Sequence, residues 1–183
     1  MPGVALQELE ERFQSAFSTS EHAVTPLEGT AEFLEWCSAN GIRLFVLTSM
    51  NVVNFEQQLR EFNFGRYFEA TYSGVIDKRE VIHGILEKHG LNPGETAYVG
   101  DMAHDIDTAH HGGVTSVGVL SGYDPRPRLA AAGPNLLLPC IKSLHALLEK
   151  SQGSAACESA ASLDPPDQIL IKRLAVDCFI GVP

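Results

Sequence analysis

Apolar positions in this chain follow two alternating spacings, which predict short strands separated by helices. The strand-length apolar runs are 42–47, 70–73, 96–99, 114–120 and 136–138. Helical spacing of apolar residues predicts helices over 6–17, 26–41, 55–62, 78–88, 105–111, the segment after Pro125, and 141–148. Gly41 and the pair Gly112-Gly113 mark helix ends, because glycine suits the left-handed C-terminal cap.

Strands that alternate with helices predict an α/β fold with a Rossmann-like, three-layer parallel sheet. In such sheets, ligands bind beyond the carboxyl ends of the strands. The polar residues that follow Leu47, Val99 and Leu120 are therefore the candidates for function.

The composition is that of a folded protein, and its charge narrows the classes of partner. Hydrophobic residues make up 44% and charged residues 20% of the 183 residues, and the formal net charge is −10. This charge disfavours nucleic acid and anionic membranes as partners, because both are negative themselves. No apolar run reaches the length of a membrane helix, and no basic secretory segment opens the chain. With four widely spaced cysteines, these features favour a cytoplasmic protein that handles small molecules, of unknown oligomeric state.

A change of composition near the end of the chain predicts a division into parts. Residues 25–149 carry the alternating pattern, whereas residues 150–166 are rich in Ser, Ala and Pro and predict a flexible linker. Residues 167–183 are strand-like again. Since a single strand is not stable alone, they predict the start of a second domain that is cut short.

The strongest chemical signal follows the run 96–99. Gly100-Asp101 ends the strand, and Asp105 comes four residues later. Glycine permits a sharp turn, which can aim both carboxylates at one cation that prefers oxygen ligands, such as Mg²⁺. The alternative is a capping acid and a surface acid without a ligand.

Two further features suit a phosphate group. Thr48 and Ser49 follow the strand 42–47, where a hydroxyl and the first amides of a helix can hold phosphate; the alternative is a helix N-cap. Lys78 opens a later helix, where its ammonium can neutralise a phosphoryl group. The alternative for Lys78 is a solvated surface charge, with Asp77 as a weak partner.

Taken in order, these motifs resemble those of the haloacid dehalogenase superfamily, in its phosphoglycolate-phosphatase-like branch. Thr48 matches the second motif, Lys78 the third, and Asp101 with Asp105 the fourth. The resemblance implies an Mg²⁺-dependent hydrolase of a small phosphorylated metabolite. Thr48 would bind the phosphoryl oxygen, Lys78 would stabilise its charge, and Asp101 and Asp105 would hold Mg²⁺. Residues 1–24 would be the remnant of a helical cap.

One part of the family pattern is missing. These enzymes attack phosphate with an aspartate at the end of their first strand, and a second aspartate acts as acid and base. Here the first aspartate in the chain is Asp77, and the aspartate of the tail, Asp177, has Phe179 where the second acid belongs. The missing strand would lie between those ending at Thr48 and Asp101, so two inner sheet edges are expected to lack partners. We therefore expect either missing upstream sequence or a non-hydrolytic relative.

The tail has a resemblance of its own. Residues 167–182 resemble the first strand of dihydroneopterin aldolase, a folate-pathway enzyme, and an ordinary amphipathic strand is the alternative. No catalytic residue is carried over, because the glutamate and lysine of such aldolases lie further on. The expected functions are therefore a phosphatase domain, a bifunctional folate-biosynthesis protein with a truncated aldolase domain, or a non-catalytic phosphate-binding module.

Overall fold

The computed structural model of the protein describes residues 24–154 and 177–180. The six helices of this part are α1 (Thr30–Ala39), α2 (Val52–Glu61), α3 (Arg79–His89), α4 (Ala103–Gly112), α5 (Arg126–Ala131) and α6 (Ile141–Ser154). Its strands are β1 (Arg43–Leu47), β2 (Ala70–Tyr72), β3 (Thr96–Gly100), β4 (Thr115–Val119), β5 (Leu136–Leu138) and β6 (Asp177–Ile180). None of the helices in these ranges is both long and apolar enough to cross a membrane.

The predicted α/β fold with a parallel sheet is confirmed. The six strands form one sheet in the order β2-β1-β6-β3-β4-β5. Every neighbouring pair is parallel, so all carboxyl ends of the strands lie along the same edge. Parallel strands cannot be joined by a short hairpin, so helices lie between the successive strands.

Two apolar layers cover the two faces of the sheet. Successive residues of a strand point to opposite faces, and in β1 Leu44 joins one layer while Phe45 joins the other. The first layer is completed mainly by α1 and α6, whose buried residues are Phe33, Leu34, Cys37, Ile141, Leu144 and Leu148. The second is completed mainly by α3 and α4, with Ile82, Ile85, Leu86 and Ala109. Most residues of β1, β3 and β4 are therefore buried on both faces of the sheet.

Some predicted segments lie partly or wholly outside the described residues. The predicted helix over 6–17 lies outside them, as does all but residue 24 of the predicted cap remnant. Helix α6 continues to Ser154, so the described residues 150–154 of the predicted linker are helical. The rest of that linker lies outside the described part of the chain.

The centre of the sheet is occupied by a strand from the tail. β6 pairs with β1 through Arg43↔Asp177 to Val46↔Ile180 and with β3 through Thr96↔Asp177 to Val99↔Ile180. The sequence predicts that these two inner edges lack partners. This prediction is wrong, because the backbone N–H and C=O groups of β6 pair with both edges. The assignment of residues 167–183 to the start of an aldolase-like domain stays a prediction.

A proline in β6 should test this pairing. The change Cys178→Pro removes one backbone N–H from a strand that is paired on both sides, which leaves a carbonyl unsatisfied at a cost of roughly 1–3 kcal/mol. We expect a lower free energy of unfolding in urea for this variant than for the unchanged chain. The control is Ala161→Pro, in the stretch predicted to be a linker. Equal stabilities of the two variants would contradict the pairing.

Candidate functional site

Three of the predicted site residues lie at one edge of the sheet because of its parallel topology. Thr48 follows β1 directly, Asp101 follows β3 directly, and Lys78 is the residue before α3. All three side chains are buried. Ser49, by contrast, is exposed at the same edge. The carboxyl edge of the sheet therefore carries one buried hydroxyl, one buried ammonium and one buried carboxylate, and the roles predicted for these residues stay predictions.

The ammonium is held by an ion pair. Lys78 Nζ lies 2.7 Å from Asp105 Oδ1, and Lys78 and Asp105 are only 2% and 1% exposed. The alternatives of a solvated lysine and a surface acid are therefore wrong. Asp77 pairs with the neighbouring Arg79 instead, through the Nε and Nη2 atoms of its guanidinium. A buried ammonium costs free energy unless it is paired, so Asp105 fixes the position of Lys78.

Tyr98 connects this ion pair to the end of β1. Its buried hydroxyl donates to the carbonyl oxygen of Leu47 at 3.2 Å and lies 3.5 Å from Asp105 Oδ1. Burial, reinforced by the charge of Asp105, raises the pKa of Tyr98 well above its ordinary value. The phenol therefore stays protonated and serves as a donor. Tyr98 thus spans the sheet from β3 to the strand that carries Thr48.

Thr48 shapes the turn that follows β1. Its Oγ1 accepts a hydrogen bond from the backbone N–H of Met50 at 3.0 Å, and its own N–H donates to Tyr72 O. The N-cap of α2 is Asn51, whose side chain accepts from Val53 N at 2.9 Å. The alternative of Thr48 as the helix N-cap is therefore wrong. Its hydroxyl organises the loop between β1 and the helix.

Asp101 and Asp105 occupy different environments although they belong to one motif. Asp105 Oδ1 contacts Lys78, and its Oδ2 accepts from Met102 N at 3.2 Å. Asp101 Oδ2 accepts from Tyr123 N at 2.6 Å, whereas its buried Oδ1 has no hydrogen-bond partner. Burial raises the pKa of Asp101, the Tyr123 N–H opposes this, and the negative charge of Asp105 raises it further.

Gly100 makes this arrangement possible by its lack of a side chain. A Cβ atom at this position would overlap with the side chain of Asp105. The close approach lets Asp105 fold back under the end of β3 to reach Lys78. The glycine predicted to permit a sharp turn is therefore required here for space.

The orphaned oxygen of Asp101 fits a cation. A buried carboxylate oxygen without a donor costs free energy that a metal ion would remove. Asp105 contributes charge but has both oxygens in contact with protein donors. Among the residues that the structure describes, no group of three or more His, Cys, Asp or Glu side chains is placed to hold a metal. Asp101 is thus the one predicted ligand whose described geometry leaves an oxygen available.

The loop after β4 belongs to the site but carries no sequence signal that identifies it. Tyr123 reaches Asp101 through a backbone N–H, which any residue except proline could supply. Gly122 lies against the Asp101 side chain, with no room for a Cβ. The position after Leu120 was the only clue, because the carboxyl end of a strand is where ligands bind.

An apolar cavity of about 820 Å³ opens beside Asp101. Its described walls include Met50, Phe55 and Met102. This volume lies in the range of small-molecule sites. The cavity therefore offers room next to the carboxylate for the organic part of a ligand.

Comparison with known proteins gives the site a context. Residues 4–119 match the haloacid dehalogenase-like hydrolases. A 5'-nucleotidase of Pseudomonas aeruginosa is 32% identical over 127 residues, which cover 67% of this chain and 58% of that protein. A phosphoglycolate phosphatase of Synechococcus elongatus is 27% identical over 130 residues, which cover 70% of this chain and 61% of that protein. The solved structure of a predicted phosphatase from Clostridium acetobutylicum aligns with a TM-score of 0.62 and 26% identity. The alignment covers 68% of this chain and 60% of that one. The chain spans about three fifths of the length of the two curated relatives.

Two glycine-to-alanine changes should have opposite effects. In Gly100→Ala the new methyl group overlaps with Asp105, so we expect a loss of roughly 1–3 kcal/mol in the free energy of unfolding. Gly84 lies inside α3 with nothing near the position of a Cβ, so Gly84→Ala should gain about 0.5–1 kcal/mol. Urea titrations of both variants measure this. A neutral Gly100→Ala would contradict the packing at the end of β3.

The buried ion pair makes a second prediction. Lys78→Met alone leaves the Asp105 carboxylate buried without its partner, and we expect a loss of about 3–5 kcal/mol in stability. The double variant Lys78→Met/Asp105→Leu should recover most of that loss, because two apolar side chains can replace a buried pair. Thermal and urea unfolding provide the measurement. As a control, Arg60→Ala breaks the exposed pair with Glu56 and should change stability little.

Proposed function

Because the chain belongs to the haloacid dehalogenase-like hydrolase family, we propose that its α/β domain is the core of an Mg²⁺-dependent phosphatase acting on a small phosphorylated metabolite. The observation that carries this proposal is the buried convergence of Thr48, Lys78 and Asp101 at one edge of the sheet. A phosphoryl group needs positive charge and donors around its oxygens, and this edge has the parts to supply them.

Each side chain has a distinct part in the proposal. Asp101 would hold Mg²⁺ through Oδ1, and Asp105 would add negative charge behind it. The ion, when bound, would neutralise phosphoryl oxygens and orient the ester. Lys78, held by Asp105, would place a second positive charge against the transferring group. Thr48 would hold the loop after β1 in its shape, so that backbone amides of this loop and the exposed hydroxyl of Ser49 are presented to the phosphoryl group.

The names of the relatives favour phosphomonoesters as substrates. A 5'-nucleotidase and a phosphoglycolate phosphatase both release phosphate from a monoester. They differ in the organic group, which is large in a nucleotide and small in phosphoglycolate. The proposal for this chain therefore extends to the ester class and not to one metabolite.

The register of β6 favours a second candidate, a module that binds phosphate without turnover. Covalent catalysis needs a carboxylate at the edge where Thr48 and Asp101 lie. In β6 the aspartate is Asp177, which pairs with Arg43 and Thr96 at the opposite, amino end of the strands. The register of β6 thus places its aspartate at the end of the strands away from Thr48 and Asp101.

A phosphate-release assay of the full chain tests the proposal. Phosphoglycolate and nucleoside 5'-monophosphates are the substrates, each with Mg²⁺ and with EDTA. We expect Mg²⁺-dependent release that falls at least about 100-fold in Asp101→Asn, because the proposed cation loses its charged ligand and the phosphoryl group loses the charge of that cation. The matched control is Asp107→Asn, an exposed acid in α4, the helix that follows Asp101, which should retain activity.

Binding measurements separate the two candidates. If no phosphate is released but the chain binds a phosphomonoester more tightly with Mg²⁺, the non-catalytic module replaces the phosphatase. If neither binding nor release responds to Mg²⁺, both candidates are wrong. Equal activity of Asp101→Asn and Asp107→Asn would remove Asp101 from the site.

A further inference from the structure

The loop 121–124 after β4 clasps the turn that carries Asp101. Tyr123 N donates to Asp101 Oδ2 at 2.6 Å, and Asp124 N donates to the backbone carbonyl of Asp101 at 3.1 Å. In return, Ala103 N donates to Asp124 Oδ2 at 2.7 Å. Three hydrogen bonds, two donated by the loop and one donated by Ala103, therefore join two segments that are about twenty residues apart in the chain.

Asp124 is the anchor of this clasp. It is 3% exposed, and a buried carboxylate persists only where donors or opposite charge compensate it. Its Oδ2 accepts from Ala103, the first residue of α4, so the carboxylate lies at the positive end of the helix dipole. Its Oδ1 lies 3.4 Å from Arg128 Nη1 but makes no hydrogen bond. Within the described residues, the hydrogen bond that this carboxylate accepts thus comes from Ala103, two residues after Asp101.

The clasp also determines the orientation of the Asp101 side chain. Gly122 lies so close to Asp101 that a Cβ atom would overlap with the carboxylate. Oδ2 is bound to the loop through Tyr123, which leaves Oδ1 as the oxygen without a protein partner. If the loop moved away, Asp101 would gain rotamers and lose this division between its two oxygens.

We propose that Asp124 is a positioning residue, which holds the Asp101 turn so that Oδ1 is available to a divalent cation. This inference rests on the proposed function, in which Asp101 binds Mg²⁺. Asp124 itself does not touch the cation. It acts through Ala103 and through the backbone of Asp101, in the way that neighbouring groups orient metal ligands in other proteins.

The test is an NMR titration of the full chain with Mg²⁺, in which amide chemical shifts report the apparent Kd without any turnover. We expect Asp124→Ala to weaken Mg²⁺ binding about 10–100-fold, the usual effect of losing an orienting group. Asp124→Asn keeps an oxygen that can accept from Ala103 N and should restore most of the affinity. Arg128→Ala, which removes only the long ion pair, should bind Mg²⁺ like the unchanged chain.

A second variant keeps the proposal testable if Asp124→Ala does not fold. Gly122→Ala places a methyl group against Asp101 and should also weaken Mg²⁺ binding, although Gly122 is exposed. Unchanged affinity in Asp124→Ala, or in Gly122→Ala where the first variant is unfolded, would overturn the positioning role. If the unchanged chain itself shows no Mg²⁺ response, the metal site of the proposed function fails, and the positioning role falls with it.

Discussion

The buried pair of Lys78 and Asp105 is the interaction on which the rest of the site depends. Its 2.7 Å contact joins the start of α3 to the first turn of α4. Neither charge is tolerable alone at this depth, so the two helices must keep their relative positions. The same helices also make an apolar contact, in which Ile82 of the first turn of α3 lies against Gly112, the last residue of α4. One ion pair and one apolar contact thus align the start of α3 with α4.

The two acids of one motif have divided their work according to their surroundings. Asp105 contacts the ammonium of Lys78 and the hydroxyl of Tyr98, so its negative charge holds these two groups in position. Asp101 receives one backbone N–H and keeps an oxygen without a partner, and burial raises its pKa. A resemblance in sequence assigns both acids to the metal. The unpartnered Oδ1 of Asp101 and the contact of Asp105 with Lys78 support our proposal that Asp101 holds the cation, and the assignment of Asp105 to the metal stays a prediction.

Much of this arrangement could be predicted from the sequence, and the reason is topological. Apolar periodicity predicts the order of strands and helices, and a parallel sheet brings every carboxyl end to the same edge. That is sufficient to gather Thr48, Lys78 and Asp101. It is not sufficient for Tyr123, which acts through a backbone N–H, or for Asp124, whose partner Ala103 lies about twenty residues away. Contacts made by backbone groups leave no pattern of side-chain types to detect.

The strand β6 shows that completing a sheet and completing an active site are separate requirements. Backbone hydrogen bonds form with an extended strand whatever its side chains are, so segment 177–180 satisfies the inner edges of β1 and β3 although it begins with Asp177. Chemistry, in contrast, requires a particular side chain at a particular register position. Here Asp177 pairs at the amino end, three positions before Ile180 meets Val46 and Val99. Pairing in the middle of the sheet therefore does not by itself place a nucleophile, which also needs a register that brings a carboxylate to the edge of Thr48 and Asp101.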